Sequence, residues 1–187
     1  MDFLNNFELG ILDFIRENIA CSFLDKVMPV ITSLADAGIF WIIIAVIMLC
    51  FKRTRKAGLT VGIALIFGLA VGNGMLKPLI GRVRPYDVKG IEPIIEKLHD
   101  GSFPSGHTLA SFEAAGALML RDKRFGIPAL VLAIVIAFSR LYLYVHYPTD
   151  VLAGIVLGLL FAFLAYLVVN ALYKKFGWDK PDEIKVD

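Results

Sequence analysis

Two histidines, one aspartate and three cations stand where apolar runs of this chain begin or end. They fall in three stretches: Lys77-Pro-Leu-Ile-Gly-Arg-Val-Arg84-Pro85, then Gly101-Ser-Phe-Pro-Ser-Gly-His-Thr108, then Ser139-Arg140 followed by His146 and Asp150. The chemistry these residues suit is phosphoryl transfer, which depends mostly on positioning and on neutralising charge. Lys77, Arg84 and Arg140 supply positive charge, and an arginine can grip two phosphate oxygens at once. Pro104 sets the backbone before a helix, Ser105 suits its N-cap, and Gly106 admits a ligand close to the main chain. His107 then falls in the first turn, beside amide N–H groups that have no partner within the helix. His146 and Asp150 are four apart, so the carboxylate can orient one ring nitrogen and leave the other free to attack phosphorus. His107 is placed to give a proton to the leaving oxygen.

Each of these residues also has a plainer reading. Arg84 or Arg140 alone would snorkel to lipid headgroups, and His146 beside Tyr147 would anchor at an interface. Asp150 would cap the helix that follows it, alone or in addition to any catalytic role. The plain readings do not explain why the residues gather in three separate stretches that all meet one surface.

The elements that must position them are membrane helices. The chain has 187 residues, of which 58% are hydrophobic and 19% charged, with a mean hydropathy of +0.72. Soluble domains run at roughly 45–50% apolar and about 25% charged. The net charge of +2 points to no nucleic-acid partner, and Cys21 and Cys50 form no CxxC or Cys/His cluster. Five apolar runs are expected to span the bilayer: 29–50, 57–76, 105–120, 125–144 and 151–173. The second is rich in glycine, at 58, 62, 68, 72 and 74, which suits close helix packing.

Ahead of them, Phe3, Leu4, Phe7, Ile11, Leu12, Phe14, Ile15 and Ile19 recur at helical spacing among polar residues. Residues 1–27 therefore read as an amphipathic interfacial segment; the alternatives are a poorly inserted span or a helix packed on the bundle. No cleavable signal peptide is evident. Residues 28–174 form the expected catalytic domain and 175–187 a cytoplasmic tail. The fold class is all-α, a polytopic membrane bundle. Basic clusters at 52–56, 121–124 and 174–175 share the cytoplasmic side if there are five spans. The three chemical stretches then lie on the extracytoplasmic face, and Cys21 and Cys50 lie near opposite faces, too far apart for a disulfide.

The motifs Lys77-x6-Arg84-Pro85, Pro104-Ser105-Gly106-His107 and Ser139-Arg140-x5-His146-x3-Asp150 resemble the three signatures of the type 2 phosphatidic acid phosphatase (PAP2) superfamily. The resemblance covers roughly residues 30–173. It implies a helical core shared with vanadium haloperoxidases and hydrolysis of a lipid phosphate or diphosphate without a metal or other cofactor. By that resemblance His146 is the nucleophile that forms a phosphohistidine, Asp150 its partner and His107 the general acid; Lys77, Arg84, Ser105, Gly106 and Arg140 bind the phosphate. Small bacterial members of this kind resemble undecaprenyl diphosphate phosphatases. Phosphatidylglycerophosphate, phosphatidate or lipid A phosphatase activity is the enzymatic alternative, and a lipid-phosphate binder or transporter the non-enzymatic one. Tyr144 stands where many members have a glycine, two residues before the nucleophile, and is expected to narrow the pocket. Glu113 lies about two turns beyond His107 and reads as a packing residue, with a lipid-pocket or proton-relay role as the weaker option.

Overall fold

The computed structural model describes residues 2–178, so the expected tail lies outside the described residues from position 179 onward. Among the described residues every regular element is helical. In chain order these are α1 (Asp2–Asn18), α2 (Ser22–Ser33), α3 (Ile39–Cys50), α4 (Arg55–Phe67), α5 (Lys77–Ile80), α6 (Pro85–Lys89), α7 (Gly106–Arg121), α8 (Lys123–Tyr142) and α9 (Pro148–Phe176).

The expected span over 29–50 is not one helix. Helix α2 stops at Ser33, a single 3-10 turn covers Asp36–Gly38, and α3 follows at an angle of 40°. Ala37 (φ 50°) and Gly38 (φ 68°) both take the left-handed conformation, which breaks the 3-10 turn and re-aims the chain into α3. The second expected span is continuous, but its last part, Gly68–Leu76, is wound as a π-helix before it runs into α5. The widened turns carry glycines where α7 presses in. A Cβ at Gly72 would strike Leu109, and one at Gly68 would strike the Glu113 carboxylate. Glu113 is buried there with its carboxylate against Gly68, and its Oε1 has no hydrogen-bond partner among the described residues, so it is not a solvated residue.

Helix α7 is the axis of the bundle. Leu109, Phe112, Ala114, Ala115, Ala117 and Leu118 are buried against α3, α4, α8 and α9, and Trp41 of α3 donates Nε1–H to Ser111 Oγ at 3.1 Å. The alanines hold the helices close, where contact is by dispersion rather than by interlocking large side chains. Helix α9 comes closer still. A Cβ on Gly154 would lie 3.0 Å from the Ser105 carbonyl oxygen, and one on Gly158 would lie 2.9 Å from that of Leu109. The bare glycine surface of α9 therefore lies directly on the main chain and Cβ atoms of α7, and the N-terminal ends of α7 and α9 are fixed side by side.

Three segments are long and apolar enough to cross a membrane: Arg55–Lys89, Lys123–Tyr142 and Pro148–Phe176; the bent pair Ser22–Ser33 plus Asp36–Cys50 makes a fourth if it counts as one span. Helix α7 has only 16 residues. A cavity of about 360 Å³ lies at the end of the bundle opposite the candidate site and is lined by Arg53, Lys56, Arg121 and Asp122 among others. It brings the 52–56 and 121–124 clusters together, and Lys56 lies 4.7 Å from the Tyr173 ring near the third. Cys21 and Cys50 are both free and exposed.

Candidate active site

The site forms where chain ends meet at the other pole of the bundle. The turn after α8 carries His146, and Pro148 opens α9, where a proline costs nothing because its missing N–H would have had no partner. Asp150 is in the first turn of α9. Its Oδ2 accepts the Tyr147 N–H at 2.9 Å, so it does cap the helix. Its own carbonyl accepts the Ser105 N–H at 3.1 Å, which joins the second and third chemical stretches directly.

His146 and Asp150 do not touch as expected. Nδ1 is 3.6 Å from Oδ2, too long for a hydrogen bond, and the Ser102 hydroxyl mediates between them. Ser102 Oγ donates to Asp150 Oδ2 and lies 3.4 Å from His146 Nδ1. With its proton given to the carboxylate, the serine oxygen accepts from Nδ1–H. That assignment leaves the lone pair on Nε2, which faces Arg84 Nη1 at 3.4 Å. His146 is buried, and burial, with the positive charges of Arg140 and Arg84, holds its imidazole far below the ordinary value, to about 3, against the pull of Asp150. The ring is neutral at pH 7, as a nucleophile must be.

Of the expected phosphate ligands, Arg84 lies against this ring. Gly81 (φ 55°) ends α5, and the chain then runs extended into Arg84 before Pro85 starts α6. The buried Arg84 guanidinium is stitched to the Val145 carbonyl (2.8 Å), the Asp100 carbonyl (3.1 Å) and Asp100 Oδ1 (2.6 Å). Lys77 Nζ donates to the other oxygen of the same carboxylate at 2.7 Å. A Cβ on Gly106 would lie 3.8 Å from that ammonium and 3.2 Å from Asn73 Oδ1, so glycine keeps this corner open. Arg140 is 1% exposed; Nη1 donates to Thr32 Oγ1 at 2.5 Å, while Nε and Nη2 have no hydrogen-bond partner among the described residues. Two orphan donors on a buried cation are costly unless an anion completes them.

Two expectations are corrected in detail. Ser105 occupies the N-cap position, but its hydroxyl bonds Thr108 Oγ1 at 2.9 Å rather than a backbone amide. Tyr144 does not reach into the pocket as a constriction: its hydroxyl donates to Asp13 of α1 at 2.7 Å, and its φ of 62° lies in the region that favours glycine. His107 Nε2 is bonded to Asp36 Oδ1 at 2.7 Å; the ring feels the charges of Arg140 and Lys77, and Arg140 acts on His146 as well.

Sequence reasoning gave no role to Ser102, Asp100, Asp36, Thr32, Arg82 or Glu8. Asp36 had a readable signal, because an ionisable residue inside an expected span marks a site or a pair. Arg82 lies inside the first chemical stretch; Nη1 donates to Asp150 Oδ1 at 2.7 Å and Nη2 to Glu8 Oε2 at 2.6 Å.

An all-helical chain with several apolar helices, and with a cationic cradle around a neutral imidazole at its pole, defines a class: membrane proteins that act on a phosphate group. The comparisons with known proteins name the family. Residues 54–174 match the PAP2 superfamily, and the chain belongs to it. It is 35% identical over 127 residues to an undecaprenyl-diphosphatase of Sulfolobus acidocaldarius, a match covering 67% of this chain and 61% of that relative. It is 30% identical over 145 residues to the undecaprenyl-diphosphatase BcrC of Bacillus subtilis, covering 78% and 75%. The fold is that of a transmembrane PAP2-type phosphatidylglycerolphosphate phosphatase from Bacillus subtilis, with a TM-score of 0.72 and 27% identity, covering 96% of this chain and 90% of that one. The enzymatic class shared by these relatives is phosphoric ester and anhydride hydrolysis.

Proposed function

We propose that this chain is an integral membrane lipid phosphatase that removes the terminal phosphate of a lipid phosphate or diphosphate, undecaprenyl diphosphate being favoured. The observation that carries the reading is the neutral, buried His146, with Nδ1 tied to Asp150 through Ser102 and Nε2 turned toward Arg84. The prenyl diphosphate preference rests on the two undecaprenyl-diphosphatase relatives.

The terminal phosphate takes up Lys77, Arg84, the Nε and Nη2 donors of Arg140, the Ser105 hydroxyl and the main chain at Gly106. His146 Nε2 gives its lone pair to phosphorus, and the P–O bond to the lipid breaks. The leaving oxygen takes a proton from His107, whose position is held by Asp36. The positive charge left on His146 is balanced by Asp150 through Ser102. Water then attacks phosphorus, His107 takes up its proton, the P–N bond breaks and inorganic phosphate leaves.

In this reading the bundle crosses the bilayer five times, α2 with α3 and the short α7 included. The site opens on the extracytoplasmic face. Support comes from the three basic clusters, which converge at the pole opposite His146. Residues 1–27 lie at the interface with their apolar side inward, 28–174 form the catalytic domain, and the C-terminus is cytoplasmic. Phosphate release is to be measured in detergent with chelator present, from undecaprenyl diphosphate, phosphatidylglycerophosphate, phosphatidate and lipid A. Release from the prenyl diphosphate at the highest kcat/KM, abolished in His146→Ala and His107→Ala variants that still fold, is expected. Undiminished turnover in His146→Ala would reject the nucleophile.

A further inference from the structure

The N-terminal helix carries a carboxylate that the apolar pattern of α1 does not account for. Glu8 is 2% exposed, yet it belongs to neither the cradle nor the stretch that matches the family, which begins at residue 54. We infer that Glu8 is a positioning residue for the hydrolysis: through Arg82 and Thr149 it fixes the Asp150 carboxylate that steers His146. The inference rests on the proposed role of His146 as nucleophile.

The geometry is a row of alternating charges. Glu8 Oε1 accepts from both the main-chain N–H (2.8 Å) and the hydroxyl (2.7 Å) of Thr149, the residue before Asp150. Glu8 Oε2 accepts from Arg82 Nη2 at 2.6 Å. The guanidinium then spends its other arm on Asp150 Oδ1 (2.7 Å) and Thr149 Oγ1 (2.8 Å), and its plane lies 3.8 Å from the centre of the Tyr147 ring. A planar fork held at both ends cannot turn without breaking several bonds at once. With Oδ1 taken by Arg82 and Oδ2 by Ser102 and the Tyr147 N–H, Asp150 has no rotation left to it. Only then does the Ser102 hydroxyl face His146 Nδ1 in one orientation.

Helix α1 is seated for this task. Leu9, Leu12 and Ile15 are buried in a cluster with Tyr142, Leu143, Val145 and Tyr147, the residues on either side of His146. The apolar face brings the helix to the loop, and Glu8 converts that docking into a constraint on the catalytic carboxylate. Groups that hold a ligand's partner in this way act on the rate although they touch no substrate.

The charge can be separated from the capping of α9. Glu8→Gln keeps an acceptor for Thr149 but no longer neutralises Arg82. Full-length protein in detergent micelles is assayed for phosphate release from farnesyl diphosphate as the probe, with melting temperature followed in parallel. The expected result for Glu8→Gln is a fall in kcat of about tenfold with KM within about twofold, and a smaller fall for Glu8→Asp, which keeps the charge. Arg82→Lys should lose a similar factor, and the double variant Glu8→Gln/Arg82→Lys no more than the worse single one. A parental kcat in Glu8→Gln, with or without a lower melting temperature, would overturn the inference; so would losses that multiply in the double variant. If Glu8→Gln does not fold, Arg82→Lys alone is read, and an unchanged kcat there overturns it equally. His146→Ala is the separate control: turnover in that variant would reject the nucleophile itself, whatever Glu8 does.

Discussion

In the proposed reading, Asp100 holds the two cations that the phosphate would take. Its two oxygens bridge Lys77 at 2.7 Å and Arg84 at 2.6 Å, as two oxygens of a phosphate would. Burial alone would push the Asp100 carboxyl up, but the two cations outweigh it and hold it at about 2, against an ordinary 3.8. At about 1.4 kcal/mol per unit, that difference is worth roughly 2.5 kcal/mol. The side chain is 54% exposed, so water screens much of it, and about 1 kcal/mol is the figure to carry forward. A phosphate must displace this carboxylate, and Asp100→Asn removes the competing charge. The inhibition constant of orthovanadate against phosphate release should therefore fall about fivefold in Asp100→Asn at pH 7. The gain should shrink in high salt, which screens an exposed pair. An unchanged or weaker inhibition constant would show that Asp100 serves to aim Arg84 and does not compete with the ligand.

Removing the bridging hydroxyl in Ser102→Ala leaves His146 and Asp150 3.6 Å apart with nothing between them, and kcat should drop about tenfold or more while vanadate still binds. Tyr144→Gly relieves a left-handed backbone worth about 1 kcal/mol but loses a buried ring worth about 3 kcal/mol, so a net loss of about 2 kcal/mol is expected in thermal melts. The pH dependence of stability follows from His146. Its folded value, about 3, lies below the unfolded 6.5, so across that window the unfolded chain binds the extra proton. Stability from this group is full above pH 6.5 and declines on acidification by up to about 1.4 kcal/mol per pH unit. Melts at pH 7.5 and 5.5 should show a smaller acid loss in His146→Gln than in the parent; equal losses would contradict a neutral buried ring.

The residues that meet at the candidate site were more legible than the way they are held. Arg84, His146 and Asp150 could be read from type and spacing, because a cation before a proline and a histidine four residues before an acid leave a local trace. The apolar runs likewise announced α8, α9 and α4 together with its π-helical continuation nearly to their ends. What could not be read was contact across the chain. Ser102 to Asp150 and Glu8 to Thr149 join positions 48 and 141 residues apart, and no periodicity encodes such a meeting. The break at Asp36–Gly38 was hidden by its apolar flanks: Ala35, Ala37 and Gly38 do not interrupt a hydropathy window, although the left-handed pair turns the chain into α3. Glycines were noticed in α4 and the π-helical segment, where five cluster, but not Gly154 and Gly158 of α9, which let α9 lie on the α7 main chain near the site.

That crossing has a consequence for how the enzyme tolerates change. Where α9 passes α7, main chain lies against main chain, and the Ser105 amide is bonded to the Asp150 carbonyl. The gauge between the Ser105–His107 corner and the Asp150 corner is thus cut in peptide units and not in side-chain volume. Apolar residues facing lipid can drift through many substitutions without altering it. A single methyl group added at either glycine would pry the two corners apart, so sequence divergence in this chain should be broad on the outside and nearly nil along one narrow seam.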